Sequence, residues 1–263
     1  MNKKAFFFDI DETLLSWITG EIPQSALYAL NELKKMGHIT FINTGRVFTT
    51  VPEIVKVLPV TGFVCGCGTQ ILKEGETLMF EEIAPEKLTQ IINMIREYGG
   101  DLILEGTKDV YFPKNKTRFD KLEWARELFG KLGFGGDIFI EDKERECPKY
   151  CFYVDEQSKT DKILAELSKD MNVMDRGDFY EVSPIPYTKA SGIEYVLNYF
   201  GINKEDAYVF GDSSNDLSMF QAVKHAVAME KHDPVLDPYT EFVTKTVEED
   251  GILYALQHYG ILE

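Results

Sequence analysis

The sequence predicts an α/β protein: a doubly wound, Rossmann-like parallel-sheet core carrying an inserted α+β cap domain. Three observations carry this reading. Short apolar runs at Ala5–Asp9, Ile39–Ile42 and Ala207–Gly211 have the composition of strands buried on both faces. These runs alternate with segments of helical period at both ends of the chain, the β-α-β order of a parallel sheet. Between about Ile83 and Pro184 the pattern changes to shorter, more alternating strands interleaved with helices.

Taken in order, Ala5–Asp9 is the first strand and ends in acids. Pro23 to Met36 places Ala26, Leu27, Leu30 and Leu33 near the helical period, with Gly37 as a natural C-terminal stop. Ile39–Ile42 is the second strand, Val51–Leu58 reads as a helix, and Phe63–Cys65 is the third strand. Gln70–Leu72 and Thr77–Phe80 flank a Lys-Glu-Gly-Glu turn and read as a hairpin. The insertion is expected to hold helices at Glu86–Tyr98, Thr117–Leu132 and Lys159–Lys169. Its strands are expected at Asp101–Glu105, Val110–Pro113, Ile138–Ile140, Tyr150–Val154 and Phe179–Val182, in an antiparallel sheet with one covered face. The parallel pattern then returns. Ala190–Phe200 is a helix ended by Gly201, Ala207–Gly211 a buried strand and Leu217–Ala222 a helix. Val227–Met229 and Phe242–Thr244 are short strands, and Gly251–Tyr259 is the last helix. The expected division is 1–82 with 186–263 as core, and 83–185 as cap.

Composition excludes several functions. Over 263 residues, 28 basic and 44 acidic side chains leave a formal charge of −16, against the basic face that nucleic acid or an anionic membrane requires. An anionic ligand would therefore need a local reversal of field by a metal, a lysine, an arginine or helix N-termini. No run of about 18 apolar residues occurs, and the N-terminal segment reaches Asp9 too soon for a signal peptide, so a cytoplasmic location is expected. Cys65, Cys67, Cys147 and Cys151 read as free thiols, the Cys-Gly-Cys spacing being tighter than usual zinc pairing. The four histidines fall in no ligand spacing.

Chemistry concentrates just beyond the C-terminal ends of the parallel strands, where open α/β sheets bind ligands. Asp9-Ile10-Asp11-Glu12-Thr13 sets two carboxylates two residues apart: one can attack phosphorus, the other can protonate a leaving oxygen. A helix cap is the alternative use of these residues. Thr44-Gly45-Arg46 offers a hydroxyl and backbone donors in a flexible turn, or is an ordinary strand-to-helix turn. Gly211-Asp212-Ser213-Ser214-Asn215-Asp216 supplies hard oxygen ligands of the kind magnesium takes, more than a cap requires. Asp212 is placed as a direct ligand, Asp216 to orient a ligand or water. Lys189, after Pro186-Tyr187-Thr188, could offset phosphate charge, or be a lone surface lysine.

In this order, Asp9–Thr13, Thr44, Lys189 and Gly211–Asp216 resemble the four motifs of the haloacid dehalogenase-like superfamily. The long insertion is similar to the α+β cap of its type IIB, Cof-like sugar-phosphate phosphatases. So is the ending, Ala226–Met229 followed by Thr246 and Glu249-Asp250-Gly251. The resemblance implies a magnesium-dependent phosphatase acting on a small-molecule phosphate ester through an aspartyl phosphate. Asp9 would be nucleophile and metal ligand. Asp11 would be general acid and base, with its carbonyl on the metal. Asp212 and Asp216 would complete the metal set. Thr44, Gly45, Arg46, Lys189 and Asn215 would lie at the phosphate and substrate. A monomer or small homo-oligomer is expected. A phosphomutase or phosphotransferase on the same fold, and a non-catalytic sugar-phosphate sensor, are the alternatives. Three positions depart from the family pattern: Glu12 in place of glycine, Cys67-Gly68-Thr69 in place of Asn-Gly-Ala, and Glu230-Lys231-His232 in place of Gly-Asn-Ala.

Overall fold

In the computed structural model, which describes residues 3–136, 138–142 and 145–263, the chain begins with β1 (Ala5–Phe8), α1 (Gln24–Lys35) and β2 (Ile39–Asn43). There follow the single turn α2 (Glu53–Lys56), β3 (Gly62–Cys65), β4 (Gln70–Lys73) and β5 (Glu76–Phe80). The insertion runs α3 (Pro85–Glu97), β6 (Asp101–Glu105), β7 (Val110–Tyr111), α4 (Asp120–Lys131), β8 (Lys149–Tyr153), α5 (Thr160–Leu167), β9 (Met171–Asp175) and β10 (Tyr180–Pro184). The chain then forms α6 (Lys189–Phe200), β11 (Ala207–Gly211), α7 (Leu217–Ala222), β12 (His225–Ala228), β13 (Phe242–Val243) and α8 (Gly251–His258).

Two compact units result: one comprises the residues up to Arg46, Thr50–Met79 and Thr188–Glu263, the other Val47–Thr49 and Phe80–Tyr187. In the first, the sheet order is β13-β12-β11-β1-β2-β3-β4-β5. Pairing is parallel from β13 through β3 and antiparallel at β3–β4. β1 lies between β2 and β11, so the connections leaving it and its neighbours diverge there, and the chain has its switch point at Asp9.

Side-chain alternation explains the layers. Phe7 points with Phe41, Val64 and Val209 into a buried cluster completed by Ile193, Val196 and Leu197 of α6 and by Met219 and Phe220 of α7. Phe6 and Phe8 point the other way, stacking on Tyr208 and Phe210 at 5.0 and 4.7 Å. On that side α1 packs beside α8. Gly192 lets α6 approach β3: a Cβ there would meet Cγ1 of Val64 at 2.3 Å.

The second unit is an antiparallel sheet in the order β7-β6-β8-β10-β9. Both of its faces are covered, where one was expected. Leu102, Leu104, Tyr150 and Phe152 pack with α3 and α5, while Ile103, Cys151 and Tyr153 pack with Phe119, Leu122 and Ala125 at α4. Three local expectations also change. Val51–Leu58 gives one helical turn, because Pro52 delays its start and Pro59 disfavours helical backbone at Leu58. Ile138–Ile140 contributes an isolated bridge, Phe112 to Phe139, and no strand among the described residues. β9 was not expected; its polar Asn172 and Asp175 sit at the sheet edge, where little burial is demanded. No described helix is long and apolar enough to cross a membrane.

Candidate active site

Four loops of the first unit converge at the C-terminal edge of β1, β2 and β11. Asp9 directly follows β1 and its amide donates to the Phe210 carbonyl of β11 at 3.0 Å, holding the residue to the sheet. The chain then turns: the amides of Leu14 and Leu15 both donate to the Ile10 carbonyl, and Glu12 adopts φ +54°. That left-handed backbone explains why glycine is usual there, and Glu12 accepts its cost.

Lys189 is the centre of the cluster. The first residue of α6, it is held by a capping box in which Thr188 and Ser191 satisfy each other's amides. Its side chain is fully buried, with Nζ 2.7 Å from Oδ1 of Asp9 and 2.5 Å from Oδ1 of Asp216. The reading of Lys189 as a surface lysine is thereby excluded. Asp216 uses its other oxygen to accept the amides of Asp212 and Ser213 at 2.9 and 3.1 Å. Gly211 makes room for it, since a Cβ there would lie 2.5 Å from Asp216 Oδ2. Oδ1 of Asp212 accepts from the Thr13 hydroxyl at 3.0 Å.

Asp9, Asp212 and Asp216 thus present carboxylate oxygens within 4.8 Å of one another. Burial pushes the Asp9 carboxyl up to about 7 against the opposing pull of Lys189. Burial, with repulsion from Asp9 and Asp216, pushes Asp212 up to about 8. Asp11 behaves differently. Although burial alone would raise it, Arg46 binds it in a fork, Nε to Oδ2 at 2.9 Å and a terminal nitrogen to Oδ1 at 2.8 Å, and holds it below the usual carboxylate range.

Thr44 is buried at the end of β2, its amide on the Val64 carbonyl and its hydroxyl accepting from the Arg46 amide at 3.1 Å. Gly45 lies buried between Thr44 and Arg46 in that turn. Asn215 is tied through its amide oxygen to the Ser213 hydroxyl at 2.7 Å. The structure therefore brings Asp9, Asp216 and Lys189 into direct contact and joins Asp11 to Arg46, while Asn215 contacts its own loop. Two participants carried no sequence signal. Asn43 donates from its side chain to the Lys189 carbonyl at 3.1 Å, and the Trp17 indole donates to Asp11 at 3.1 Å.

Other candidates lie elsewhere. Among the described residues, the acidic triad is the only group of metal-ligand type. All four cysteines are free, and burial pushes the Cys65, Cys147 and Cys151 thiols up, which keeps them protonated. His225 and His232 are paired with Glu241 and Asp237, and His258 stacks on Phe242.

With this geometry established, comparison with known proteins is informative. A model of the haloacid dehalogenase-like hydrolases matches residues 6–256. The chain belongs to that family. This hydrolase is 34% identical to 5-amino-6-(5-phospho-D-ribitylamino)uracil phosphatase YwtE of Bacillus subtilis, over 95% of this chain and 96% of the other. It is 29% identical to a Streptococcus pyogenes protein named as a bifunctional phosphatase/peptidyl-prolyl cis-trans isomerase, covering 99% of this chain but 54% of that one. The solved structure of a HAD subclass IIB sugar phosphatase superposes with a TM-score of 0.84 at 24% identity, over 99% of this chain and 100% of the other. The chain therefore shares the fold of that structure and stands with the family's phosphatases.

Proposed function

We propose that this hydrolase is a magnesium-dependent phosphatase of small phosphorylated metabolites, with sugar phosphates the leading class, working through an aspartyl phosphate on Asp9. The observation that carries the reading is the buried Asp9–Lys189–Asp216 contact beside Asp212. A nucleophilic carboxylate, a cation for the phosphoryl group and an acidic cation site coincide in one place, whereas a sensor needs no nucleophile.

The donor set fits magnesium. Its oxygens are hard, and Asp9 and Asp212 are raised first by burial and then by neighbouring carboxylates, as expected of groups that await a cation. Asp9 and Asp212 would hold the ion with the Asp11 carbonyl. Asp216, both of whose oxygens are already hydrogen-bonded, would anchor Lys189 and the Asp212 loop. When bound, the ion supplies charge neutralisation at the phosphoryl oxygens.

A carboxylate oxygen of Asp9 attacks phosphorus and the ester P–O bond breaks, the leaving oxygen taking a proton from the Asp11 carboxyl. Water then attacks the phosphorus of the aspartyl phosphate, giving its proton to the Asp11 carboxylate and releasing Asp9 and inorganic phosphate. Lys189 and the Thr44 turn orient the transferring group, most of the catalysis being positioning and charge. Asp11 has to open its fork with Arg46 before it can carry the first proton. Cytoplasmic residence accords with the four free thiols.

The test is turnover of para-nitrophenyl phosphate and then of a sugar-phosphate panel, with product analysis to distinguish water from a sugar hydroxyl as acceptor. Magnesium-dependent hydrolysis is expected, lost with EDTA and reduced about 10,000-fold in Asp9→Asn. Undiminished turnover in Asp9→Asn would exclude the aspartyl-phosphate route.

A further inference from the structure

Trp17 is 72% exposed, yet it is not loosely held. Its amide donates to Oε1 of Glu12 at 2.5 Å. The preceding Ser16 is buried: its hydroxyl accepts the amides of Ile18 and Thr19 at 3.0 and 3.1 Å and donates to the Glu248 carboxylate. Ser16 and Glu21 close the loop by a backbone bond of 3.1 Å. The indole is therefore presented by a tied loop, with Nε1 3.1 Å from Oδ1 of Asp11 and its ring facing solvent.

A large apolar ring held in the open gains when something covers it. Its N–H edge is anchored to the carboxyl that must reach the leaving oxygen, so the group bonded to that oxygen passes beside the ring. The neighbouring carboxylates of Asp11 and Glu12 make this place unfavourable to an anionic alcohol portion and favourable to a ring presenting C–H edges. Resting on the phosphatase reading above, we propose that Trp17 contacts the leaving group and selects phosphate esters whose alcohol is a ring with an apolar face, either a sugar or a flat heterocycle. Glu12 is the positioning residue that holds the backbone of Trp17 in place. The acid at position 12, a departure from the family pattern, thereby has a physical role.

Wild type, Trp17→Ala, Trp17→Phe and Glu12→Gln are compared on glucose 6-phosphate, uridine 5′-monophosphate and acyclic glycerol 1-phosphate. The readout is the ratio of kcat/KM for ring over acyclic ester, in which any effect exerted through Asp11 cancels. Trp17→Ala lowers the ratio roughly tenfold through KM, the effect of losing one aromatic contact. Trp17→Phe, which keeps a ring but loses the N–H, retains the ratio, and Glu12→Gln falls between. The ester with the larger Trp17→Ala penalty tells sugar from heterocycle. Equal losses on ring and acyclic esters, or none, overturn the proposal.

Binding is read separately. The chain has two tryptophans, so in Asp9→Asn, Trp124→Phe protein the emission reports Trp17 alone. Ring esters are expected to change that emission in the presence of magnesium, and an unchanged emission with an ester that binds calorimetrically overturns the contact. If wild type hydrolyses no ester while this emission change persists, the hydrolytic reading fails and the contact stands.

Discussion

Each unit of the molecule buries one lysine between two carboxylates, and the two clusters differ in charge balance. In the inserted unit Lys149, 4% exposed, lies 3.3 Å from Glu105 and 3.6 Å from Glu181, and Arg176 pairs with Glu181 at 3.3 Å. Among the described residues, these ion pairs join two acids to two cations. In the first unit, among the described residues, four carboxylates, Asp9, Asp11, Asp212 and Asp216, gather around two cations, Lys189 and Arg46, so acids outnumber cations. A neutral cluster can serve as architecture, whereas a buried excess is costly unless a further cation completes it. Charge balance, more than burial or the presence of a lysine, separates the cluster proposed to hold a metal and a phosphate from the one in the inserted unit.

The largest effect on that contrast is expected from Lys149→Met. It should destabilise the protein by about 3–5 kcal/mol, because Glu105 and Glu181 lose their shared buried cation. Denaturant unfolding measures this, and adding Glu105→Gln and Glu181→Gln should recover most of the loss. Failure to recover would mean that Lys149 acts by packing instead of by charge.

Magnesium should come next. At a hundredfold excess over its dissociation constant it should stabilise wild type by about 2.7 kcal/mol, do nothing for Asp212→Asn, and leave the difference between wild type and Lys149→Met unchanged. The sign of the pH dependence follows from the raised carboxyls. Asp9 near 7 and Asp212 near 8 bind more protons folded than unfolded. In metal-free protein these two groups therefore contribute stability that is fully present below about pH 4 and is lost as pH rises to about 8. The benefit of magnesium should grow over the same window, and thermal melts with and without EDTA test it.

The smallest effect concerns His38, a buried titratable group beside Lys4. Its Nδ1 accepts the Lys4 amide at 3.2 Å, and burial, reinforced by Lys4, holds its pKa below the ordinary imidazole value. Folded protein thus binds fewer protons, and His38 should contribute stability that is lost as pH falls from 6.5 through the folded value. His38→Gln should flatten that slope in denaturant titrations.

Much of this was legible in the sequence because buried parallel strands are apolar throughout and end abruptly. The acids at Asp9 and Asp212 mark the ends of β1 and β11 with no ambiguity of period. What escaped depended on long-range placement. Lys189 carries no local sign of burial, since its partners are 180 and 27 residues away. Trp17 reaches Asp11 across a turn in which Glu12 is left-handed, and periodicity does not encode that. The edge strand β9 is too polar to signal itself. At Ile138–Ile140 the apolar spacing was real, but those residues turn beside Phe112 and do not extend a sheet.

The carboxylate of Asp216 reaches back to the amides of Asp212 and Ser213 and lies against Gly211, where a methyl group has no room. This closed circuit fixes the number of residues between the strand end and the anchor. A single insertion or deletion between Gly211 and Asp216 would rotate the carboxylate out of the ring and release Lys189 with it. In a lineage of such proteins this short stretch should accept substitutions long before it accepts a change of length.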